Sequence, residues 1–138
     1  MHISTARLNI RPIRLEDATA ILDYRSDPEV SKYQSWVPNS IEDVRQFILK
    51  NPQEVNIVDS WFQVVLSHKE TGQIIGDLGI HFVGSHQVEL GCTLCKEAQQ
   101  KGMAKESIES IAYYLFESLS KHRIYVCLLY TSPSPRDS

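Results

Sequence analysis

Gln99-Gln100-Lys101-Gly102-Met103-Ala104 is the stretch whose residue types and spacing could hold a ligand. It follows a run that reads as a strand and opens a segment with helical spacing that continues to Leu119. The first N–H groups of a helix have no intrahelical partner, and the positive end of the helix dipole lies there. A strand–turn–helix junction of this kind therefore suits a phosphate. Gly102 lets the backbone approach an anion with no side chain in the way, and Lys101 adds a positive charge. The cysteines Cys92, Cys95 and Cys127 offer less. Cys92-Thr93-Leu94-Cys95 has the CxxC spelling, but residues i and i+3 of a strand point to opposite faces. No second CxxC or nearby His pair completes a metal site. Cys92 and Cys95 read as strand residues, and no metal is expected.

Several elements must position that turn. Alternation predicts a first strand over Thr5 to Pro12, with Leu8 and Ile10 on one face. Leu15 to Tyr24 reads as a helix with Glu16 and Asp17 in its first turn, broken by Arg25-Ser26-Asp27-Pro28. Glu29 to Pro38 is irregular and aromatic. Asn39 or Ser40 caps a second helix carrying Ile41, Val44, Phe47 and Ile48, which ends by Asn51-Pro52. Trp61 to Leu66 reads as a central strand, apolar on both faces. Lys69-Glu70-Thr71-Gly72 turns the chain into a second strand, Gln73 to Phe82, where Gly76 and Gly79 suggest a bulge or a close backbone approach. Gln87 to Leu94 follows, with Val88, Leu90, Cys92 and Leu94 on one face. The sheet centre is thus an antiparallel meander. The long helix carries Ile108, Ile111, Ala112, Leu115 and Leu119 as a buried stripe. Ile124-Tyr125-Val126 begins a strand parallel to the one ending at Leu94, giving a strand–helix–strand crossover.

The chain has 138 residues, enough for one domain with a single core. A formal net charge of −3 gives no electrostatic case for nucleic acid. No apolar run approaches the roughly 20 residues that span a bilayer, and no signal peptide is visible. A cytoplasmic location is expected, with no nucleic-acid or membrane partner.

The turn carries a resemblance. Gln99-x-x-Gly102-x-Ala104 is similar to the Q/R-x-x-G-x-G/A loop of the GNAT acyltransferases, which grips the pyrophosphate of acetyl-CoA. Leu8-Asn9-Ile10-Arg11-Pro12 with Leu15-Glu16-Asp17-Ala18 resembles the opening of the RimJ/RimL-type branch. Ser26-Asp27-Pro28-Glu29-Val30 followed by Trp36 resembles its next segment. Ile74 to Ile80 and Val88-Glu89-Leu90-Gly91 resemble its central strands. The similarity runs in order from about Thr5 to about Val126. Many members carry glycine where Gln100 stands, so this loop is less glycine-rich.

The resemblance implies an α/β (α+β) fold, a GNAT-like mixed and mostly antiparallel sheet flanked by helices. It implies an N-acetyltransferase that moves acetyl from acetyl-CoA to a primary amine, either a protein N-terminus or a small amine. The amine attacks the thioester directly, so the site must hold the thioester, polarise its carbonyl and accept a proton. On this reading the backbone of Cys92, Thr93 and Leu94, with the strand from Ile124, pairs with the pantetheine arm. Gln99 and the backbone of Gln100, Lys101, Gly102, Met103, Ala104 and Lys105 take the phosphates. Glu89 matches an acidic residue common in the branch and is the candidate general base; its alternative role is a structural carboxylate on the sheet. His81, at the end of the preceding strand, is the second candidate. Tyr33 and Trp36 either line the acceptor pocket or pack on the sheet. Tyr125 and Tyr130 do not match the family's general-acid tyrosine. A homodimer is compatible with the resemblance.

The pattern stops after Val126. Where the family continues with a helix and a strand, Cys127 to Ser138 runs CLLYTSPSPRDS. Cys127 to Asp137 can be encoded by a transposase adapter used in DNA library preparation; the alternative is a natural Ser/Pro-rich tail. The expected organisation is therefore a domain over 1–126, incomplete at its C-terminus, and a non-native tail over 127–138. Loss of a helix and strand would expose hundreds of Å² of apolar surface. At about 25 cal/mol per Å² that can equal a domain's whole margin of about 5–15 kcal/mol, so a poorly stable product is expected. The alternative function is then an inactive fragment without competent CoA binding. A third reading is a non-enzymatic module in which Gln99 to Ala104 only starts a helix.

Overall fold

The computed structural model describes residues 1–31, 37–84, 86–99, 101–119, 121 and 123–127. Among them are six strands: β1 (Ile3–Ser4), β2 (Leu8–Pro12), β3 (Ser60–His68), β4 (Ile74–Phe82), β5 (Gln87–Leu94) and β6 (Arg123–Cys127). They form one sheet in chain order. Every neighbouring pair is antiparallel except β5 and β6, which run parallel. A parallel pair needs a crossover, and the helix α4 (Met103–Ser118) supplies it. The helices α1 (Ala18–Arg25), α2 (Pro28–Ser31) and α3 (Ile41–Leu49) lie between β2 and β3 in sequence. This is the mixed, mostly antiparallel α/β sheet with flanking helices that the strand and helix periods imply.

Side-chain alternation divides the sheet into two faces. Leu8, Ile10, Phe62, Val64, Leu66, Leu78, Ile80, Val88, Leu90 and Leu94 are fully or almost fully buried on one face, with Ile111 and Leu115 of α4 in the same core. Trp61, Gln63 and Val65 face the other way, in register with His81, Gly79 and Asp77. In β4, Leu66 pairs with Gly76 and Ser67 with Ile74, so Ile75 is an extra residue. Beside this bulge a Cβ on Gly76 would lie 2.3 Å from the Thr93 carbonyl oxygen, which explains the glycine.

Several boundaries differ from the sequence-based expectation. Thr5 to Arg7 is a turn between β1 and β2 rather than strand. The Thr5 N–H donates to the Leu8 carbonyl at 2.8 Å, and the Leu8 N–H donates to Thr5 Oγ1 at 3.0 Å. Leu15–Asp17 is a 3₁₀ turn, and the α-helix begins only at Ala18. There the Asp17 carboxylate accepts the Arg14 N–H at 2.8 Å and takes a two-point grip from Arg11 at 2.8 and 2.9 Å. Pro28–Ser31 is a short helix, since proline suits a first helical position. β6 starts one residue earlier than expected, at Arg123. Ser40 is the cap of α3, its side chain accepting the Asp43 N–H at 3.3 Å.

Candidate active site

Gly102 stands directly before α4 in a left-handed conformation, φ 77°, which glycine adopts without strain. The first backbone bond of the helix runs from the Glu106 N–H to the Gly102 carbonyl at 3.0 Å. The N–H groups of Met103, Ala104 and Lys105 therefore precede the intrahelical ladder. A Cβ at Gly102 would meet only Arg7 Nη2, at 3.5 Å. The Met103 and Ala104 side chains are buried, so these residues offer backbone rather than side chain. Lys101 and Lys105 are exposed, and Lys105 lies 3.8 Å from Glu109.

The loop is anchored from the other end of the chain. Glu106 accepts a hydrogen bond from the Thr5 hydroxyl, one from the Arg7 N–H at 2.9 Å and one from Arg7 Nε at 2.7 Å. Arg7 Nη1 donates to the Lys101 carbonyl at 2.9 Å. Burial pushes the Glu106 carboxyl upward, but the bonds from Thr5 and Arg7 outweigh it and hold the group below the usual glutamate range.

β5 carries the site away from the loop. The Gln87 carbonyl accepts from Val83 and the Cys95 N–H donates to Ile75, so odd-numbered residues of β5 turn their backbone groups toward β4. The even-numbered ones turn toward β6, and the His86 carbonyl accordingly accepts from Arg123. The last described parallel pair is Gly91 with Cys127, whereas β4 pairs with β5 as far as Leu94. Cys92 and Leu94 thus turn their backbone groups toward the β6 side, and Leu94 lies past the last described pair. The Thr93 backbone is directed to β4. The Gln99 side chain is also turned inward, its Nε2 donating to the Leu94 carbonyl at 3.1 Å instead of facing the loop mouth. The Cys92 thiol is buried against the α4 face. Burial, followed by the nearby Asp77 charge, pushes it up to about 12. Burial likewise raises the Cys95 thiol.

His81 of β4 and Glu89 of β5 are directly opposed, and Glu89 in turn stands in register with Tyr125. Opposed residues share a face. His81 Nδ1 lies 3.6 Å from Glu89 Oε2, too long for a hydrogen bond but within ion-pair reach for a protonated imidazole. That nitrogen is buried and has no hydrogen-bond partner among the described residues. On its other side the His81 ring stacks on Trp61, centroids 4.5 Å apart and planes 9° from parallel. Trp61 remains 46% exposed, so the start of β3 is not covered on both faces as its apolar sequence suggested, whereas Val65 on the same face is buried. Tyr33, Trp36 and Gln100 lie outside the described residues.

Arg25 and Asp77 form the strongest polar feature of this face. Arg25 Nη2 donates to Asp77 Oδ1 at 2.7 Å and Nε to Oδ2 at 3.1 Å, and Tyr24 donates its hydroxyl to the same carboxylate. Arg25 Nη2 also reaches Thr93 Oγ1 at 3.3 Å. The cluster ties α1 to β4 and β5. Burial, then the Asp77 charge, holds Tyr24 well above its usual value. Sequence reading missed it, although a carboxylate inside an apolar strand was a signal, because such a group must find a buried partner. Among the described residues no group of three or more His, Cys, Asp or Glu could hold a metal. No described helix is long and apolar enough to cross a membrane.

A chain-order sheet, a parallel last pair bridged by a helix, and a glycine-started helix after the central strand define a mixed α/β domain of acetyltransferase type. Comparison with known proteins gives the family. The sequence model described as Acetyltransferase (GNAT) domain matches residues 7–130. The Bacillus subtilis (strain 168) protein named Uncharacterized N-acetyltransferase YnaD is 33% identical over 128 residues, covering 90% of this chain and 71% of its own length. Uncharacterized N-acetyltransferase p20 of Bacillus licheniformis is 32% identical over 124 residues, covering 87% and 68%. The crystal structure of an acetyltransferase (GNAT family) from Bacillus anthracis superposes with a TM-score of 0.82 at 28% identity, covering 99% of this chain and 79% of that one. The chain belongs to the GNAT acetyltransferase family.

Proposed function

We propose that the protein transfers the acetyl group of acetyl-CoA to a primary amine, a protein N-terminus or a small amine, in the manner of the RimJ/RimL-type branch. The observation that carries this reading is the helix start at Gly102, braced by Arg7 and Glu106. The unpaired N–H groups of residues 103–105 and the exposed Lys101 suit a diphosphate. The backbone of Cys92 and Leu94 suits an extended pantetheine arm.

The co-substrate supplies an activated acetyl group as a thioester. The amine nitrogen attacks its carbonyl carbon; a C–N bond forms and the C–S bond breaks. The proton lost by the amine passes to Glu89, directly or through water, with His81 beside it to share the charge. The departing thiolate takes a proton from solvent, since no tyrosine here is assigned as general acid. Tyr33 and Trp36 are proposed to line the acceptor side. The reaction is proposed for the cytoplasm. Residues 127–138 are proposed to be a non-native tail on a domain over 1–126; resequencing the source locus past the codon for Val126 tests this.

The functional test is thiol release from acetyl-CoA in the presence of a panel of amines. Amine-dependent release that Glu89→Gln lowers is expected. Release that no amine stimulates would overturn the reading.

A further inference from the structure

Trp61 is a large aromatic residue left half exposed on the face that carries His81 and Glu89. Its position is built. Gly79 lies diagonally across from it, and a Cβ there would sit 3.0 Å from Trp61 Cε3 and about as close to the Gln63 amide. The absence of a side chain at Gly79 thus leaves room for the indole edge at Cε3. The His81 ring, stacked at 4.5 Å, fixes the indole from one side. Just before β3, Ile57 and Val58 are also exposed, at the same end of the sheet. Asn56 and Asp59 flank them in left-handed conformations, φ 72° and 63°.

Charge and apolar surface are therefore separated along one row. Trp61, His81 and Glu89 are register partners on three adjacent strands. Neighbouring strands are about 4.8 Å apart, so the indole and the carboxylate stand roughly 10 Å apart at the backbone. An ammonium drawn to Glu89 would carry whatever is attached to it over His81 and the indole. An aromatic plane accepts an apolar or aromatic body well, and it tolerates a cation near its face.

Resting on the acetyltransfer reading above, we propose that Trp61 is a specificity-determining residue, which together with Glu89 selects small amines whose nitrogen is two or three bonds from an aromatic or branched apolar group. Glu89 holds the nitrogen end, and the exposed indole covers the apolar end. Simple hydrophilic or short alkyl amines gain only the first contact.

The probes are 2-phenylethylamine and ethylamine, which share an amine and differ by the ring. Steady-state acetyl transfer is measured with the full chain, Trp61→Ala and Trp61→Phe. The expected preference for 2-phenylethylamine in kcat/KM is about tenfold, carried by KM, from burial of one ring face. Trp61→Ala should bring the ratio near one, and Trp61→Phe should keep most of it. A second readout is independent of turnover. Tryptophan emission of the parent chain should change saturably with 2-phenylethylamine and not with ethylamine, and that change should be lost in Trp61→Phe. Transfer with the same ratio in Trp61→Ala overturns this proposal and leaves acetyl transfer standing. A saturable Trp61 response without transfer to any amine supports recognition at Trp61 and overturns the acetyltransfer reading. Neither transfer nor a response overturns both.

Discussion

Arg7 and Glu106 are 99 residues apart in sequence, yet Arg7 Nε donates to Glu106 Oε1 at 2.7 Å. The same arginine holds the Lys101 carbonyl through Nη1 at 2.9 Å. One side chain from the β1–β2 turn thus fixes both the loop before α4 and the helix's first turn.

Replacing Glu106 by Gln should loosen this anchor. Arg7 is partly exposed, which limits the loss. A destabilisation of about 1–2 kcal/mol is expected from the weakened charge-assisted bonds. The pH dependence has a definite sign. Glu106 is held below its usual range in the folded state. Its contribution is therefore fully present above the ordinary glutamate value, about 4.3, and is lost as pH falls through the lower folded value. Thermal melts between pH 7 and 3 should show the Tm of the parent falling toward that of Glu106→Gln. A constant gap at all pH values would contradict this account of the anchor.

Asp77→Ala should be far more damaging. It removes the carboxylate that the Arg25 guanidinium and the Tyr24 hydroxyl share, in a site where Asp77 is only 2% exposed. Breaking a buried pair from one side costs about 3–5 kcal/mol. Urea unfolding should show that loss for Asp77→Ala, with much of it recovered when Arg25 is also replaced by Met. Additive losses in the double variant would mean the two groups do not interact energetically.

Glu89→Gln keeps the size of the side chain and removes the carboxylate proposed as proton acceptor. It should lower kcat by about 10²–10³-fold, with KM for acetyl-CoA nearly unchanged, as loss of a general base requires. His81→Ala should cost less, because it removes a neighbour of the acceptor. Equal activity in Glu89→Gln would leave Glu89 as a structural carboxylate.

Cys92 should be chemically silent in the folded protein. Its thiol is buried and titrates near 12, so almost no thiolate exists at neutral pH. Iodoacetamide labelling at pH 7.5, read by peptide mass spectrometry, should leave Cys92 unmodified until denaturant is added. Rapid labelling in the native protein would contradict the packing of β5 against α4.

Local pattern revealed much of this molecule. The alternation in Gln87–Leu94, the helical stripe around Ile111 and Leu115, and Gly102 before a helix all express themselves within a few residues. The features missed are contacts between distant segments. Nothing near Thr5 or Arg7 indicates that Glu106 will meet them, so a turn was read as strand. Arg25 looked like the end of a helix because its partner lies on β4. The bond from Gln99 back to Leu94 is not legible in the turn's spacing, since it depends on how the chain folds after β5. Trp61 was counted as covered because period-two alternation says which face a residue takes, but not whether anything packs over that face.

The central claim is that the backbone from Lys101 to Lys105, presented by a helix that starts at Gly102, receives the diphosphate of acetyl-CoA. Calorimetric titration with acetyl-CoA tests it most directly, on the parent chain and on Gly102→Val, which sets a branched side chain at φ 77° in front of those amides. Saturable binding by the parent, weakened at least about tenfold in a Gly102→Val variant with an unchanged circular dichroism spectrum, is the predicted result. No binding by the folded parent, or equal affinity in the two proteins, would contradict it.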